Sequence, residues 1–231
     1  MEKFFDEVID KLTASDFLEM VRKKYHYEKE QLVELKEVAE QMLPLIRREA
    51  CWNQGEFAAR LPEGVNPWAE GPCREVVLTL GEGTDLLQEE FTQKGLLSES
   101  YMVEALASEL LIQGYAAYNK YVEAHTEFHV ARYHFLGSEK ELPIESLEGM
   151  PQRLGMPVQY NEAFCMIPKK SVAFVAELTL DAKRRCQGIC VGCGSKSCPN
   201  RMEERLNLGR MIADMTDLPL SYGYSRIFGR R

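Results

Sequence analysis

The stretch Ser98–Val122, SESYMVEALASELLIQGYAAYNKYV, decides the expected fold. Its apolar residues recur at helical spacing over more than one face of the helix, and this pattern is typical of a helix buried at the centre of a protein. We therefore expect one long helix with the remaining elements packed around it.

Segments with strand character lie on both sides of this helix. Upstream, EVVLTLGEG at Glu75–Gly83 predicts a short buried strand that ends on glycine, and Thr84 is placed to cap the next helix. Downstream, residues 127–136 look extended, and residues 157–178 predict two strands joined as a hairpin at residues 168–169. Because helices and strands do not alternate strictly, the predicted fold class is α+β.

The N-terminal part of the chain predicts three helices. The third helix places apolar residues at helical spacing from Leu32 to Met42 and should end or kink near Pro44. Residues 53–74 contain three prolines and three glycines without a clear period, which predicts a long connection.

Length and composition indicate a globular protein. The chain has 231 residues, of which 45% are apolar, and no run of eighteen or more apolar residues. The N-terminal MEKFFDEVIDKL alternates charged and apolar residues and lacks the pattern of a secretory signal. These features predict a cytoplasmic protein without a membrane partner.

Charge is distributed unevenly along the chain. Residues 182–231 carry ten Lys or Arg against four Asp or Glu, which leaves a net charge of −14 for residues 1–181. This break predicts a body at 1–181 and a cysteine-rich, basic tail at 182–231. The tail could bind RNA, or offset the negative charge of a metal centre held by thiolates. An acidic body makes nucleic acid an unlikely main partner.

The tail opens with CQGICVGCGSKSCPN, which holds four of the seven cysteines. Their spacing is Cys186-x3-Cys190-x2-Cys193-x4-Cys198, followed by proline. This arrangement approximates the bacterial ferredoxin pattern with one residue added in two gaps. In a reducing cytosol such a group favours a metal over disulfides.

The identity of the metal is left open by the spacing. All four cysteines lie within thirteen residues, which favours an iron–sulfur cluster over a zinc ribbon with two separated ligand pairs. The expected cluster type is 4Fe-4S. A zinc knuckle with four cysteine ligands is the alternative. The pattern of radical S-adenosylmethionine enzymes also matches the first three cysteines, but those enzymes place it early in a barrel.

The middle of the chain resembles the activation domain of cobalamin-dependent methionine synthase. Two stretches look like its strand, turn and helices: VLTLGEGTDLLQEEF at Val77–Phe91 and YMVEALASELL at Tyr101–Leu111. The most specific stretch matches the pattern Glu-x-Phe-x-Met-x-Pro-x-x-Ser-Val, here Glu162, Phe164, Met166, Pro168, Ser171 and Val172. Free-standing members of that family often end in a Cys-x2-Cys-x4-Cys segment, here Cys190, Cys193 and Cys198. The resemblance spans roughly residues 15–205.

This resemblance implies a twisted antiparallel sheet flanked by helices, in a domain that docks over a corrinoid and binds S-adenosylmethionine. The ligand segment of the family, Arg-x-x-x-Gly-Tyr, corresponds here to ARYHFLGSEKELP. Arg132 is present, but the Gly-Tyr pair is missing and Gly137 lies one place late. The sequence therefore does not predict the usual S-adenosylmethionine site. The region that the resemblance implies for binding S-adenosylmethionine or corrinoid comprises Arg132, Tyr133, His134, Gly137 and Glu162.

The leading hypothesis is an activator of a corrinoid-dependent methyltransferase that relays electrons through an iron–sulfur cluster to reactivate cob(II)alamin. Its partners would be a corrinoid protein, which carries the cobalamin, and an electron donor. Two alternatives stay open: a zinc-stapled, non-catalytic module that binds a corrinoid protein, and reductive remethylation of the corrinoid from S-adenosylmethionine.

The sequence also suggests roles for three residues outside the cysteine segment. His125 and His129 would share a helix face, a spacing used for metal ligands, but no carboxylate motif lies near them in the sequence. Cys165 alternates within a predicted strand and is expected to be a small buried hydrophobic residue.

Overall fold

The longest helix lies at the centre of the architecture, as its sequence predicts. This computed structural model describes residues 5–57, 71–186 and 188–189. In chain order the helices are α1 (Asp6–Ile9), α2 (Ser15–Lys24), α3 (Leu32–Glu49), α4 (Gly83–Gln93), α5 (Leu97–His125) and α6 (Met150–Arg153). Short 3-10 turns cover Ile144–Leu147 and Ala182–Arg184.

The strands form a four-stranded antiparallel sheet and a separate small hairpin. They are β1 (Cys51–Glu56), β2 (Cys73–Thr79), β3 (His129–Phe135), β4 (Gln159–Tyr160), β5 (Met166–Ile167) and β6 (Ser171–Thr179). The sheet order is β1-β2-β6-β3, and β4 pairs only with β5 among the described residues. The mixed α+β class with an antiparallel sheet flanked by helices is therefore confirmed.

Each face of the sheet covers its own apolar cluster, because successive side chains of a strand point to opposite faces. On one face, Leu78 and Phe174 belong to the large cluster that includes α5 and the N-terminal helices. On the other face, Val77 and Val175 pack with residues from the segment 142–158. The sheet is thus a middle layer between the helices and this segment.

The turn from β2 into α4 depends on a glycine and on a carboxylate from another helix. Gly81 has a φ of +88°, and a Cβ there would lie 2.2 Å from the Cβ of Glu49. The Gly83 amide donates to Glu49 Oε2 at 2.6 Å, so Glu49 satisfies a free amide at the start of α4. Thr84, the predicted cap, instead donates to the Gly81 carbonyl at 3.2 Å.

Three local expectations are wrong. Helix α3 continues through Pro44 to Glu49. The predicted connection at 53–74 contains most of β1 and the start of β2, and β1 is an edge strand bonded to β2 alone among the described residues. The predicted hairpin at 168–169 joins β5 to β6, which belong to different sheets and do not pair.

No helix among the described residues combines the length and the apolarity needed to span a bilayer. The predicted boundary between residues 181 and 182 stays a prediction, because most of the tail lies outside the described residues.

Candidate functional site

The chain leaves β6 and reaches the first cysteine of the tail through residues 181–186, which we call the cysteine anchor. It begins with a local cap: the Asp181 carboxylate accepts from the Lys183 amide at 2.9 Å, at the start of the 3-10 turn Ala182–Arg184. It ends at Cys186, whose amide donates to the Val130 carbonyl at 2.7 Å. The anchor therefore docks against β3, the strand at the edge of the sheet.

Cys186 is buried at this edge. Its relative exposure is 6%, and it belongs to the apolar cluster on the helix side of the sheet. It forms no disulfide, and its Sγ donates to the Gly188 carbonyl at 3.2 Å. The thiol is therefore enclosed at the edge of the sheet and contacts the backbone two residues further along the chain.

Tyr133 lies on the same face as Cys186. Its hydroxyl oxygen lies 2.9 Å from the Tyr115 carbonyl oxygen and 2.6 Å from Asn119 Oδ1, and these two acceptors share its single proton. Burial, and to a lesser degree the neighbouring Cys186 thiol, raises the pKa of Tyr133 well above its ordinary value. The phenol is therefore protonated and holds β3 to α5 as a hydrogen-bond donor.

A network of charged side chains lies on the opposite face. His134 is fully buried, with Nδ1 3.0 Å from Glu139 Oε2 and Nε2 3.4 Å from Glu177 Oε2. The other oxygen of Glu177 accepts from Arg184 at 3.2 Å, and Arg132 lies 3.5 Å from Glu139. Two carboxylates and three basic side chains thus meet where β3, β6 and the anchor converge.

A second ion pair holds the next residue of the anchor. Arg185 contacts both oxygens of Glu123, Nε to Oε1 at 2.7 Å and Nη2 to Oε2 at 2.9 Å. His129 Nδ1 lies 3.2 Å from Glu123 Oε1. This paired geometry is the strong, directional form of an arginine–carboxylate contact.

The structure places the predicted site residues differently. Of the predicted metal ligands, Cys186 is in the anchor, whereas Cys190, Cys193 and Cys198 lie outside the described residues. Within the described ranges, no group of three or more His, Cys, Asp and Glu could hold a metal ion. The four-cysteine site therefore stays a prediction.

The implied ligand region does not gather at one point. Arg132 and His134 share the charged network, whereas Tyr133 points to the opposite face of β3. Gly137 forms the turn after β3, with a φ of +79°. Glu162 is exposed in the turn between β4 and β5.

The sequence reasoning missed the residues that complete the network. Glu177 is a single acid in the apolar strand SVAFVAELT, and that isolation was a usable signal. Glu123 and Glu139 had no such signal, because they lie in polar surroundings near the ends of α5 and β3.

Two minor predictions are corrected. His125 ends α5 and His129 begins β3, so the two histidines do not share a helix face. Cys165 is exposed in the turn between β4 and β5, because those strands are only two residues long.

No protein-family model matches this chain, and no curated protein is significantly similar to it.

Proposed function

We propose that this protein is an activator of a corrinoid-dependent methyltransferase and that it delivers electrons to cob(II)alamin held by a partner protein. Cys186, Cys190, Cys193 and Cys198 would hold an iron–sulfur cluster, which supplies single-electron transfer when bound. The observation that carries this proposal is the close spacing of the four cysteines in the sequence.

The surroundings of Cys186 suit such a site in two ways. Burial of its side chain limits access of water to a ligand, and a dry environment tunes a bound centre. Lys183 brings positive charge to the segment just before ligands that must be thiolates, whereas Arg184 and Arg185 are paired with Glu177 and Glu123.

A zinc-stapled module that binds a corrinoid protein is the second candidate function. The set of four cysteines favours it, because structural zinc sites are filled by four protein ligands, such as four cysteines. Such a protein would hold its partner without moving electrons.

Anaerobic purification followed by iron and zinc analysis, absorption and electron paramagnetic resonance spectroscopy separates the two. We expect a coloured protein with bound iron and a paramagnetic signal on reduction, both lost in Cys193→Ala. A colourless protein with one zinc would overturn electron transfer and support the zinc module.

The activating step has its own assay. The reduced wild-type protein, mixed with a corrinoid protein in the cob(II)alamin state, should deplete the cob(II)alamin absorption. Cys193→Ala at the same concentration should leave it unchanged. Equal depletion by both proteins would show that the cysteines take no part in the reaction.

A further inference from the structure

The cysteine anchor is fastened to three different elements by three consecutive residues. Arg184 contacts Glu177 of β6, Arg185 contacts Glu123 of α5, and the Cys186 amide bonds to β3. Consecutive residues that are each held from a different direction leave little freedom to the backbone between them.

Glu177 is the buried member of this arrangement. Its side chain is 8% exposed, and its two oxygens are divided between Arg184 and His134. A buried carboxylate is costly unless each of its oxygens is compensated. If Arg184 moved away, one oxygen of the buried Glu177 carboxylate would lose its ion-pair partner, which is unfavourable. This ion pair therefore keeps the anchor close to β6.

Glu123 holds the anchor from the helix side. It lies near the end of α5 and is 62 residues before Arg185 in the chain. The guanidinium binds both of its oxygens, so the contact fixes the direction of the Arg185 side chain as well as its distance.

The backbone contact completes the placement of Cys186. Its amide bonds to Val130 at 2.7 Å, at the point where the pairing of β3 with β6 shifts register between Val130 and Arg132.

We propose that Glu177 and Glu123 are positioning residues that hold Cys186 in place before any metal binds. One predicted ligand of the four-cysteine site is then pre-organised before metal binds. Pre-organisation strengthens binding because less conformational entropy is lost. The identity of the bound group rests on the proposed function, whereas the placement of Cys186 does not.

Hydrogen exchange of the metal-free full chain tests the placement. The Cys186 amide should exchange slowly in the wild type and about tenfold faster in Glu177→Gln and Glu123→Gln, the effect of losing one charge-assisted hydrogen bond. Glu127→Gln is the matched control, because Glu127 is exposed nearby. Amides of β2 should be unaffected in all three variants.

Charge reversal separates positioning from a general loss of stability. Glu123→Arg should expose the Cys186 amide, and the double variant Glu123→Arg/Arg185→Glu should restore its protection, because the pair is re-formed with opposite signs. This pair is partly exposed, so these variants should fold even if Glu177→Gln does not. Wild-type exchange in every variant would overturn the proposal.

Cobalt(II), added to the metal-free protein anaerobically, reports on the ligands through its thiolate absorption. The apparent Kd for cobalt should be about tenfold higher in Glu123→Arg than in the wild type. It should return to the wild-type value in the double variant. If exchange changes in the variants but the wild type binds no cobalt, the proposed metal function is overturned. The positioning of Cys186 is then still supported. Altered exchange with an unchanged Kd would overturn pre-organisation.

Discussion

Two of the buried carboxylates are Glu109 in α5 and Glu177 in β6. Glu109 is paired with Lys24, 85 residues earlier in the chain, and Glu177 with Arg184, seven residues later. A charge in such a position is tolerated only with a partner, so these residues tie separate elements together.

Removal of Glu109 should destabilise the protein strongly. The carboxylate pairs with Lys24 and accepts from the Tyr25 hydroxyl at 3.1 Å. Glu109→Ala should lower the free energy of unfolding by about 3–5 kcal/mol, because Lys24 is left with an uncompensated charge in a partly buried position. Urea denaturation measures this change.

Two control variants separate the effect of the unpaired charge from the effect of substituting a helical residue. Glu37→Ala, at an exposed position of α3, should change stability by less than about 0.5 kcal/mol. The double variant Lys24→Met/Glu109→Leu should recover most of the loss, because no unpaired charge is left. Equal losses for Glu109→Ala and Glu37→Ala would contradict the importance of the pair.

Cys73 should react slowly with alkylating reagents. Burial, and then the nearby Glu177 carboxylate, raise the pKa of its thiol to about 11. The thiolate fraction at pH 8 is then about 100-fold lower than for an ordinary thiol, and the rate should keep rising up to about pH 11.

Iodoacetamide labelling followed by peptide mapping measures this rate. Cys165, which is exposed, serves as the reference within the same sample. Similar labelling of Cys73 and Cys165 at pH 8 would show that the Cys73 thiol is not shielded.

At the scale of elements, helix α3 shows how packing overrides a local breaker. Pro44 lies inside the helix and is exposed, whereas Met42 and Ile46 on either side are fully buried. The apolar face of the helix continues across the proline, and solvent can reach the carbonyl that the proline leaves unbonded.

Replacement of Pro44 should therefore stabilise the protein. In Pro44→Ala the new amide can bond to the Glu40 carbonyl, and the gain is partly offset by greater freedom of the unfolded chain. We expect a net gain of about 2 kcal/mol in the free energy of unfolding. Thermal unfolding followed by circular dichroism measures it.

Gln41→Ala, at an exposed position in the same helix, is the control and should change stability by less than about 0.5 kcal/mol. A decrease in melting temperature for Pro44→Ala would mean that the proline ring itself supports the packing of α3.

At the scale of the whole molecule, stability comes from the two apolar clusters on the faces of the sheet. Among the described residues, every buried member of these clusters except Cys186 belongs to the body at 1–181. The body should therefore fold without metal, unlike small domains whose folding depends on zinc.

Removal of metal should leave the body folded. Anaerobic treatment with a chelator is expected to shift the melting temperature by less than about 4 °C, equivalent to about 1 kcal/mol for a chain of this size. Circular dichroism measures the shift, and metal analysis of the same sample confirms removal. Loss of the helical signal on chelation would make the metal part of the folding unit.

The sequence by itself determined the features that repeat at short range. Spacing of apolar residues predicted α5, β2, β3 and β6, and the spacing of Cys186 and its three companions predicted the candidate metal site. These signals are local, because helical and strand periods and ligand spacing are properties of neighbouring residues.

Only the tertiary structure decided which distant groups meet. Strand β1 has a weak sequence signal and exists through its pairing with β2. Arg185 contacts Glu123, and Arg184 contacts Glu177, because the fold brings the end of α5, β3 and β6 to the same edge of the sheet. No local period encodes such contacts: they depend on register and packing, and these place Cys186 at the edge of the sheet.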